Sequence, residues 1–196
     1  MKTKTINLYQ FEELTEEQQE KVLDKYRYFN DDTFECYVKD EYSMGKIWES
    51  GFLNAEPNYS LNYCQGDGAC FDCDDFDFDL LLKDWEHKHK NWIMNIIKKH
   101  CYGYIKTNSY ACYYSHSKTR YFELVGDGDL DYNYKHIDKA LDSAEQHIEA
   151  LRLELSESLT ASLYEQLEWL RSDEQIKDSL IANEYYFNGE TLEIEY

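Results

Sequence analysis

The segment that decides the fold class is YSLNYCQGDGACF, which occupies residues 59–71. Tyr59, Leu61 and Tyr63 alternate with polar residues, and a Gly-Asp-Gly turn at residues 66–68 follows them. Each glycine of this turn can adopt a positive φ because it has no Cβ, so the segment predicts a β-hairpin. Helical patterns lie on both sides of this hairpin, and the combination predicts an α+β fold.

The helical patterns before the hairpin begin at a capping box. Thr15 and Gln18 stand at the spacing in which each side chain bonds to the backbone N–H of the other, which predicts the start of a helix. Val22, Tyr26 and Phe29 then form one apolar face. A second helix is predicted over residues 34–50, with Gly51 as its end.

The helical patterns after the hairpin include the longest in the chain. A third helix is predicted over residues 80–100. Apolar residues then recur at steps of three and four from Ile137 to Leu163, with Leu170 two turns further on, and they predict one long C-terminal helix. Ser172 and Gln175 form a second capping box before a short helix.

The remaining segments predict further strands. Residues 104–115 and 118–125 predict a pair of strands, residues 6–14 begin as a short strand, and Asn188-Gly189 closes a small hairpin over residues 185–196. The chain has 196 residues and no Gly/Pro/Ser-rich linker, a length that suits one domain. We therefore expect a single α+β domain over residues 1–196, in which a small antiparallel sheet of hairpins packs with several helices.

Composition limits the classes of partner. The chain has 40 acidic and 20 basic residues, a net charge of −20 at pH 7. Such a charge argues against direct binding to nucleic acid or to an anionic membrane, because both present phosphates. Residues 80–126 carry a net charge of +5, so a modestly basic middle lies inside a strongly acidic chain. No apolar run is long enough to span a membrane, and residues 1–8 lack the core of a signal peptide, so we expect a cytoplasmic protein.

Three of the six cysteines lie around the hairpin turn, namely Cys64, Cys70 and Cys73. They could form a metal site or a catalytic thiol, but the chain has no paired CxxC motif, and strand cysteines are usually small buried hydrophobes. We expect reduced, metal-free thiols and no enzyme activity. A zinc site at these three cysteines would need a fourth ligand, and the possible ones are Cys101, Cys112 and His116. The Gly-Asp-Gly turn itself is too short to cradle a phosphate, and Asp67 would occupy the place of the anion.

A second metal-like pattern comes from the alternating carboxylates Asp127, Asp129 and Asp131. A calcium loop of the EF-hand type needs glycine at its sixth position and glutamate at its twelfth. This chain has Tyr132 and Asp138 there. We therefore predict no metal ion and no cofactor.

Three segments together resemble a known family. They are YQFEEL at residues 9–14, CQGDGACF at residues 64–71, and YEQLEWLRSDE at residues 164–174 followed by IANEY at residues 181–185. In this order they resemble a largely uncharacterised family of small bacteriophage and prophage proteins, some of which are labelled antitoxins of toxin–antitoxin systems. The resemblance implies no catalytic residues. The aspartate-rich segment after Cys73 departs from the family pattern.

The resemblance implies an accessory protein that acts on a basic host protein in the cytoplasm of the host cell. The main hypothesis is an inhibitor of a nucleic-acid-acting defence factor, as in anti-restriction or anti-CRISPR proteins, whose carboxylates mimic the phosphates of DNA. The first alternative is an antitoxin that neutralises a toxin by direct binding through Tyr and Trp anchors. The second alternative is a metal- or thiol-dependent enzyme that uses the hairpin of Cys64–Cys73.

The candidate partner-binding residues are acidic and fall in two groups. The first group lies within eight residues, where like charges repel one another with no basic residue among them, so we expect a partner surface and not a fold element. The second group is expected on the exposed side of the long helix. The candidates are Asp72, Asp74, Asp75, Asp77 and Asp79 in the first group, and Asp138, Asp142, Glu145 and Glu149 in the second.

Overall fold

A computed structural model describes residues 6–62, 64, 66–108, 115–128 and 137–195. The chain divides into two compact units. The first unit comprises residues 1–36 and 165–196, and the second unit comprises residues 37–164. The α+β class is confirmed, because helices combine with small antiparallel sheets. A single domain over the whole chain stays a prediction.

The described residues form the following helices and strands. The helices are α1 (Glu16–Lys25), α2 (Asp31–Val38), α3 (Glu41–Glu49), α4 (Phe78–Leu81), α5 (Lys90–His100), α6 (Asp138–Leu170) and α7 (Asp173–Ala182). The strands are β1 (Leu8–Gln10), β2 (Phe52–Leu53), β3 (Glu56–Ser60), β4 (Gly68–Asp72), β5 (Asp75–Phe76), β6 (Cys101–Thr107), β7 (Arg120–Gly126), β8 (Tyr186–Asn188) and β9 (Ile194–Glu195).

The first unit combines α1 and α7 with a sheet in the order β1-β8-β9. Both predicted helix starts are confirmed, because the hydroxyls of Thr15 and Ser172 accept hydrogen bonds from the backbone N–H of Gln18 and Gln175. The initial strand is shorter than predicted, since a 3-10 helix follows β1 at Phe11. The core of this unit consists of Phe11, Leu14, Val22, Ile176, Leu180 and Phe187.

The second unit holds three two-stranded antiparallel sheets, β2-β5, β3-β4 and β6-β7. The hairpin predicted at residues 59–71 is present as β3 and β4, although β3 ends at Ser60. The predicted pair of strands is present as β6 and β7, with residues 109–114 outside the described part of the chain. Aromatic edge-to-face contacts join these sheets: Phe52 contacts Phe71 and Phe76, and Phe76 contacts Phe122.

Two predicted helices are each divided in the structure. The predicted helix over residues 34–50 is observed as α2 and α3, because Asp40 is extended and begins a new helix. The predicted helix over residues 80–100 is observed as α4 and α5. The helical spacing of apolar residues continues across the break between α4 and α5, because Trp85 in the connection and Ile93 in α5 are both buried.

The long helix is confirmed as α6, a single helix of 33 residues. Within the second unit its side chains bind the outer edges of two strands. The Glu145 and Glu149 carboxylates accept hydrogen bonds of 2.9 and 2.8 Å from the backbone N–H of Leu124 and Phe122 in β7. The Thr160 hydroxyl accepts a bond of 2.8 Å from the N–H of Ala69 in β4. These side chains satisfy edge groups that otherwise recruit another strand.

Candidate partner-binding site

The aspartates of residues 72–79 take part in the fold. Asp72 ends β4, where it accepts bonds from Arg120 Nε at 2.5 Å and from Asn58 Nδ2 at 2.8 Å. Asp77 caps α4, because its carboxylate accepts from the backbone N–H of Asp79 at 2.9 Å. The prediction that this run is not a fold element is therefore wrong.

The sequence of this run contains no basic residue, but the fold places basic side chains beside two of its aspartates. Asp79 forms an ion pair of 2.6 Å with Lys98, and Asp72 pairs with Arg120. Both cations come from distant parts of the chain, so the local sequence does not reveal them. Asp74 and Asp75 are exposed, and no described cation pairs with either of them.

The acidic residues of α6 fall into two different environments. Asp138 and Asp142 are exposed, as predicted for the outer side of the helix. Glu145 and Glu149 instead bond to the edge of β7, and Glu149 also pairs with the fully buried Arg152 at 2.7 Å. The placement of Glu145 and Glu149 on the exposed side is therefore wrong, since both carboxylates are used within the molecule.

An open groove in the second unit brings several carboxylates together. It has a volume of about 570 Å³. The charge of Asp72 is neutralised by its ion pair with Arg120. Glu56 and Asp74, in contrast, are exposed and have no described cationic partner. We call this feature the acidic groove. Its lining consists of Asn54, Glu56, Asp72, Cys73, Asp74, Ile105 and Thr107.

Two of the three hairpin cysteines, Cys70 and Cys73, are engaged in ways that do not suit nucleophilic chemistry, whereas Cys64 is exposed. Cys70 is fully buried, and its Sγ contacts the Thr119 hydroxyl at 3.6 Å. The Cys73 thiol donates to the carbonyl oxygens of Asp75 and Leu53 at 3.0 and 3.2 Å. Burial raises the pKa of Cys70, and it raises the pKa of Cys73 to about 11. Both thiols are therefore protonated at neutral pH, whereas a nucleophile needs the thiolate.

Among the described residues, neither of the two metal-like sequence patterns forms a ligand set. No group of three His, Cys, Asp or Glu side chains within the described ranges is placed to hold a metal ion. The Asp127 carboxylate lies 3.2 Å from Nδ1 of His100. Asp129 and Asp131 of the calcium-like pattern, and Cys112 of the zinc-like pattern, lie outside the residues that the structure describes.

The hairpin turn holds a carboxylate in place of an outside anion. Oδ2 of Asp67 accepts bonds of 2.7 Å from the backbone N–H of Asn62 and of Cys64. Its Oδ1 accepts from the Ser60 hydroxyl, also at 2.7 Å. The bond from the Cys64 N–H is the main cause that lowers the pKa of Asp67. These donors are satisfied within the turn, so they do not form a phosphate site.

A face of aromatic side chains on β6 and β7 is a feature that the sequence patterns do not single out. Tyr102 and Tyr104 stack with ring centroids 6.2 Å apart, and Lys106 lies 4.8 Å from the ring centroid of Tyr104. Tyr121 pairs with Lys106 across the hairpin. Tyr102 is 57% exposed and Tyr121 41% exposed. Their alternation is visible in the sequence, but only the strand register shows that they share one face.

Glu56, Ile105 and Thr107 of the acidic groove are also absent from the sequence-based candidates. These residues lie on β3 and β6, which are distant in sequence, and no local motif connects them.

Among the described helices, none is both long enough and apolar enough to cross a bilayer. Comparisons with protein-family models, with curated proteins and with solved structures give no match for this chain.

Proposed function

We propose that this protein binds a basic host protein and inhibits it, and that the acidic groove is the contact surface. The observation that carries this proposal is the pair of exposed carboxylates, Glu56 and Asp74, which line an open groove without a described cationic partner. Isolated like charges in a groove are stabilised by an incoming opposite charge. A lysine or arginine of a partner protein would supply that charge.

The class of partner follows from the charge of the whole chain. With a net charge of −20, the protein attracts basic surfaces over a distance and accelerates encounter with them. Nucleic-acid-acting proteins present such basic surfaces. We therefore propose a nucleic-acid-acting host defence factor as the target, which agrees with the resemblance to phage proteins.

The spacing of the carboxylates favours recognition of a few cationic side chains over imitation of duplex DNA. Within the second unit, the exposed acidic residues of α6 are Asp138, Asp142, Glu154 and Glu157. At 1.5 Å per residue they average about one charge per 10 Å of helix axis, whereas duplex DNA has about one per 1.7 Å. The helix alone therefore lacks the charge density of a DNA mimic.

The proposal is tested with a variant that neutralises the groove and keeps its shape, Glu56→Gln with Asp74→Asn. Tagged protein is used to capture partners from the bacterial host, each partner is purified, and its affinity is measured with both proteins. Loss of two contacts of this kind is expected to weaken binding about 2- to 30-fold. Association of the wild-type protein should also slow as salt is raised.

A matched control separates the groove from net charge. Glu154→Gln with Glu157→Gln removes the same charge from exposed positions of α6 and should leave the affinity within about twofold, since isolated surface charges contribute little. Equal weakening by both double variants would show that only total charge matters, and the groove would be excluded as the contact surface. Unchanged binding by the groove variant would exclude it as well.

The antitoxin alternative is favoured by one separate observation, the exposed aromatic face that contains Tyr102 and Tyr121. Exposed tyrosines are frequent anchors of protein interfaces. In this case Tyr102→Ala with Tyr121→Ala should abolish rescue of cells that express a toxin encoded beside this protein. The groove variant should still rescue those cells. Rescue by the tyrosine variant would exclude the aromatic face as the toxin contact, and failure of the wild type to rescue would exclude the antitoxin alternative.

A further inference from the structure

The strand β6 has one paired edge and one open edge. Two backbone bonds flank the β6-β7 ladder, from Asn108 N–H to Thr119 O and from Asp127 N–H to His100 O. Together with the strand register they show which residues of β6 form hydrogen-bonded pairs with β7. In an antiparallel pair, every second residue directs both its N–H and its C=O toward the partner strand. Tyr102, Tyr104 and Lys106 therefore direct their backbone N–H and C=O groups toward β7. Gly103, Ile105 and Thr107 direct theirs away from β7.

The outer edge of the partner strand independently confirms this alternation. Phe122 and Leu124 of β7 lie opposite Ile105 and Gly103, and their N–H groups point away from β6 to Glu149 and Glu145 of α6. The long helix thus closes the β7 edge. No comparable side chain or backbone group of the described residues bonds to the outward N–H groups of Ile105 and Thr107.

The open part of this edge is short and well defined. At Gly103 a Cβ would come within 2.6 Å of the Phe122 ring and 3.4 Å of the Phe76 ring, so aromatic rings cover the face of β6 toward which that Cβ would point. Ile105 and Thr107 follow, and both line the acidic groove. The residues that carry the unpaired backbone groups therefore line the same groove as the uncompensated carboxylates.

We propose that β6 binds an extended basic segment of the partner protein as an added strand. Unpaired edge groups recruit strands, and β-strand addition is a recurring mode of peptide recognition. The added backbone would pair with the N–H and C=O groups of Ile105 and Thr107. Its lysine or arginine side chains would recur at every second position, which places them on one face, toward Glu56 and Asp74. This inference rests on the proposed function and specifies how the groove binds.

A second copy of this chain is a poorer occupant of the same edge. Pairing β6 with β6 would bring the Glu56 and Asp74 carboxylates of two copies together, and each chain already carries a net charge of −20. Like charges held together in this way repel. The complementary charge of a basic segment favours a different protein as the source of the strand.

The test uses the full-length protein and a fluorescent peptide that alternates lysine and valine over six residues. We expect saturable 1:1 binding with new protection of the Ile105 and Thr107 amides from hydrogen exchange. A peptide with the same sequence but N-methylated at alternate backbone nitrogens cannot donate those bonds, and we expect it to bind at least about tenfold more weakly.

Two protein variants at one position supply the matched control. Thr107→Pro removes an outward N–H that the β6-β7 ladder does not use, and proline is tolerated at edge positions of this kind. It should weaken the peptide at least about tenfold. Thr107→Ala keeps the N–H and should bind as the wild type does. Circular dichroism and the amide spectrum establish that both variants are folded.

The outcomes separate this inference from the proposed function. If the peptide loses affinity in the groove variant Glu56→Gln with Asp74→Asn but is insensitive to N-methylation and to Thr107→Pro, strand addition is overturned while the acidic groove stands. Absence of peptide binding to the wild type also overturns strand addition. A concentration-dependent dimer that Thr107→Pro abolishes would identify a second copy as the occupant and overturn the inference too.

Discussion

Replacing Glu149 with alanine removes two kinds of bond from the interior of the second unit. Its carboxylate accepts the backbone N–H of Phe122 at 2.8 Å, and it accepts Nε and Nη2 of Arg152 at 2.7 and 2.8 Å. Arg152 has no exposed surface, and its other described bond joins Nη2 to the carbonyl of Ser117. The substitution therefore leaves a buried guanidinium without its counter-charge.

The magnitude follows from the burial of this pair. Breaking a buried ion pair by removing one partner costs about 3–5 kcal/mol. The unsatisfied N–H of Phe122 adds to the same cost, but interactions that share one residue are not additive. We therefore expect the free energy of unfolding to fall by about 3–5 kcal/mol, a large part of the roughly 5–15 kcal/mol of a typical domain.

Urea denaturation of four variants measures this cost. Glu154→Ala, an exposed residue of the same helix, should change the stability by less than about 0.5 kcal/mol. Glu145→Ala removes the one bond that the described residues make to this carboxylate, from the Leu124 N–H, and should cost about 1–3 kcal/mol. Glu149→Ala combined with Arg152→Met removes the buried charge as well, so the double variant should be more stable than Glu149→Ala alone.

Two results would each refute a part of this reasoning about Glu149. The first is a stability of Glu149→Ala within about 1 kcal/mol of that of Glu154→Ala, because the pair would then contribute no more than a surface contact. The second is a double variant that is no more stable than Glu149→Ala, because the cost would then not come from the unpaired guanidinium. The first result would restore Glu149 as a candidate for partner binding, whereas the second would leave the bond from the Phe122 N–H as the source of the cost.

Changing all five aspartates of residues 72–79 to asparagine should lower the melting temperature, since the pairs with Arg120 and Lys98 are lost, whereas Asp74→Asn with Asp75→Asn should leave it unchanged. Alkylation at pH 8, followed by peptide mass spectrometry, should modify the exposed Cys36 and Cys64 well before Cys73 and Cys101, whose pKa burial raises to about 11; equal rates would contradict this order. The bond from the Cys64 N–H is the main cause that lowers the pKa of Asp67. The ionised carboxylate therefore stabilises the turn at pH values above the ordinary pKa of aspartate, and this stabilisation is lost as the pH falls through the lower folded-state pKa. Because amide exchange itself depends on pH, the measured quantity is the protection factor: the protection factors of the Asn62 and Cys64 amides should fall only below the ordinary aspartate pKa, and in Asp67→Asn they should already be low at neutral pH.

Much of the fold is predictable because it depends on residues that are close in sequence. Thr15 and Ser172 begin helices through bonds to residues three positions on. The apolar spacing of α6 is likewise a local pattern, and the helix it predicts is present over Asp138–Leu170. The breaks before α3 and α5 are less predictable, because buried residues on each side of a break keep the same spacing.

The candidate site is only partly predictable. Asp74, Asp75, Asp138 and Asp142 are exposed, as expected for residues that meet a partner. The acidic groove combines Glu56 and Asp74 with Ile105 and Thr107, which the sequence does not connect. The outward direction of the Ile105 and Thr107 backbone groups depends on the register of β6 against β7. A shift of one residue would turn these groups inward.

The sequence by itself determined the α+β class, the central hairpin, the long helix and the net charge of −20. Only the tertiary structure decided which carboxylates remain available to a partner. Asp72 meets Arg120 across 48 residues, and Glu149 meets the N–H of Phe122 across 27. The physical reason is that a carboxylate has the same local sequence signature whether it faces water or a buried donor. The distinction arises when folding brings that donor to within hydrogen-bond distance.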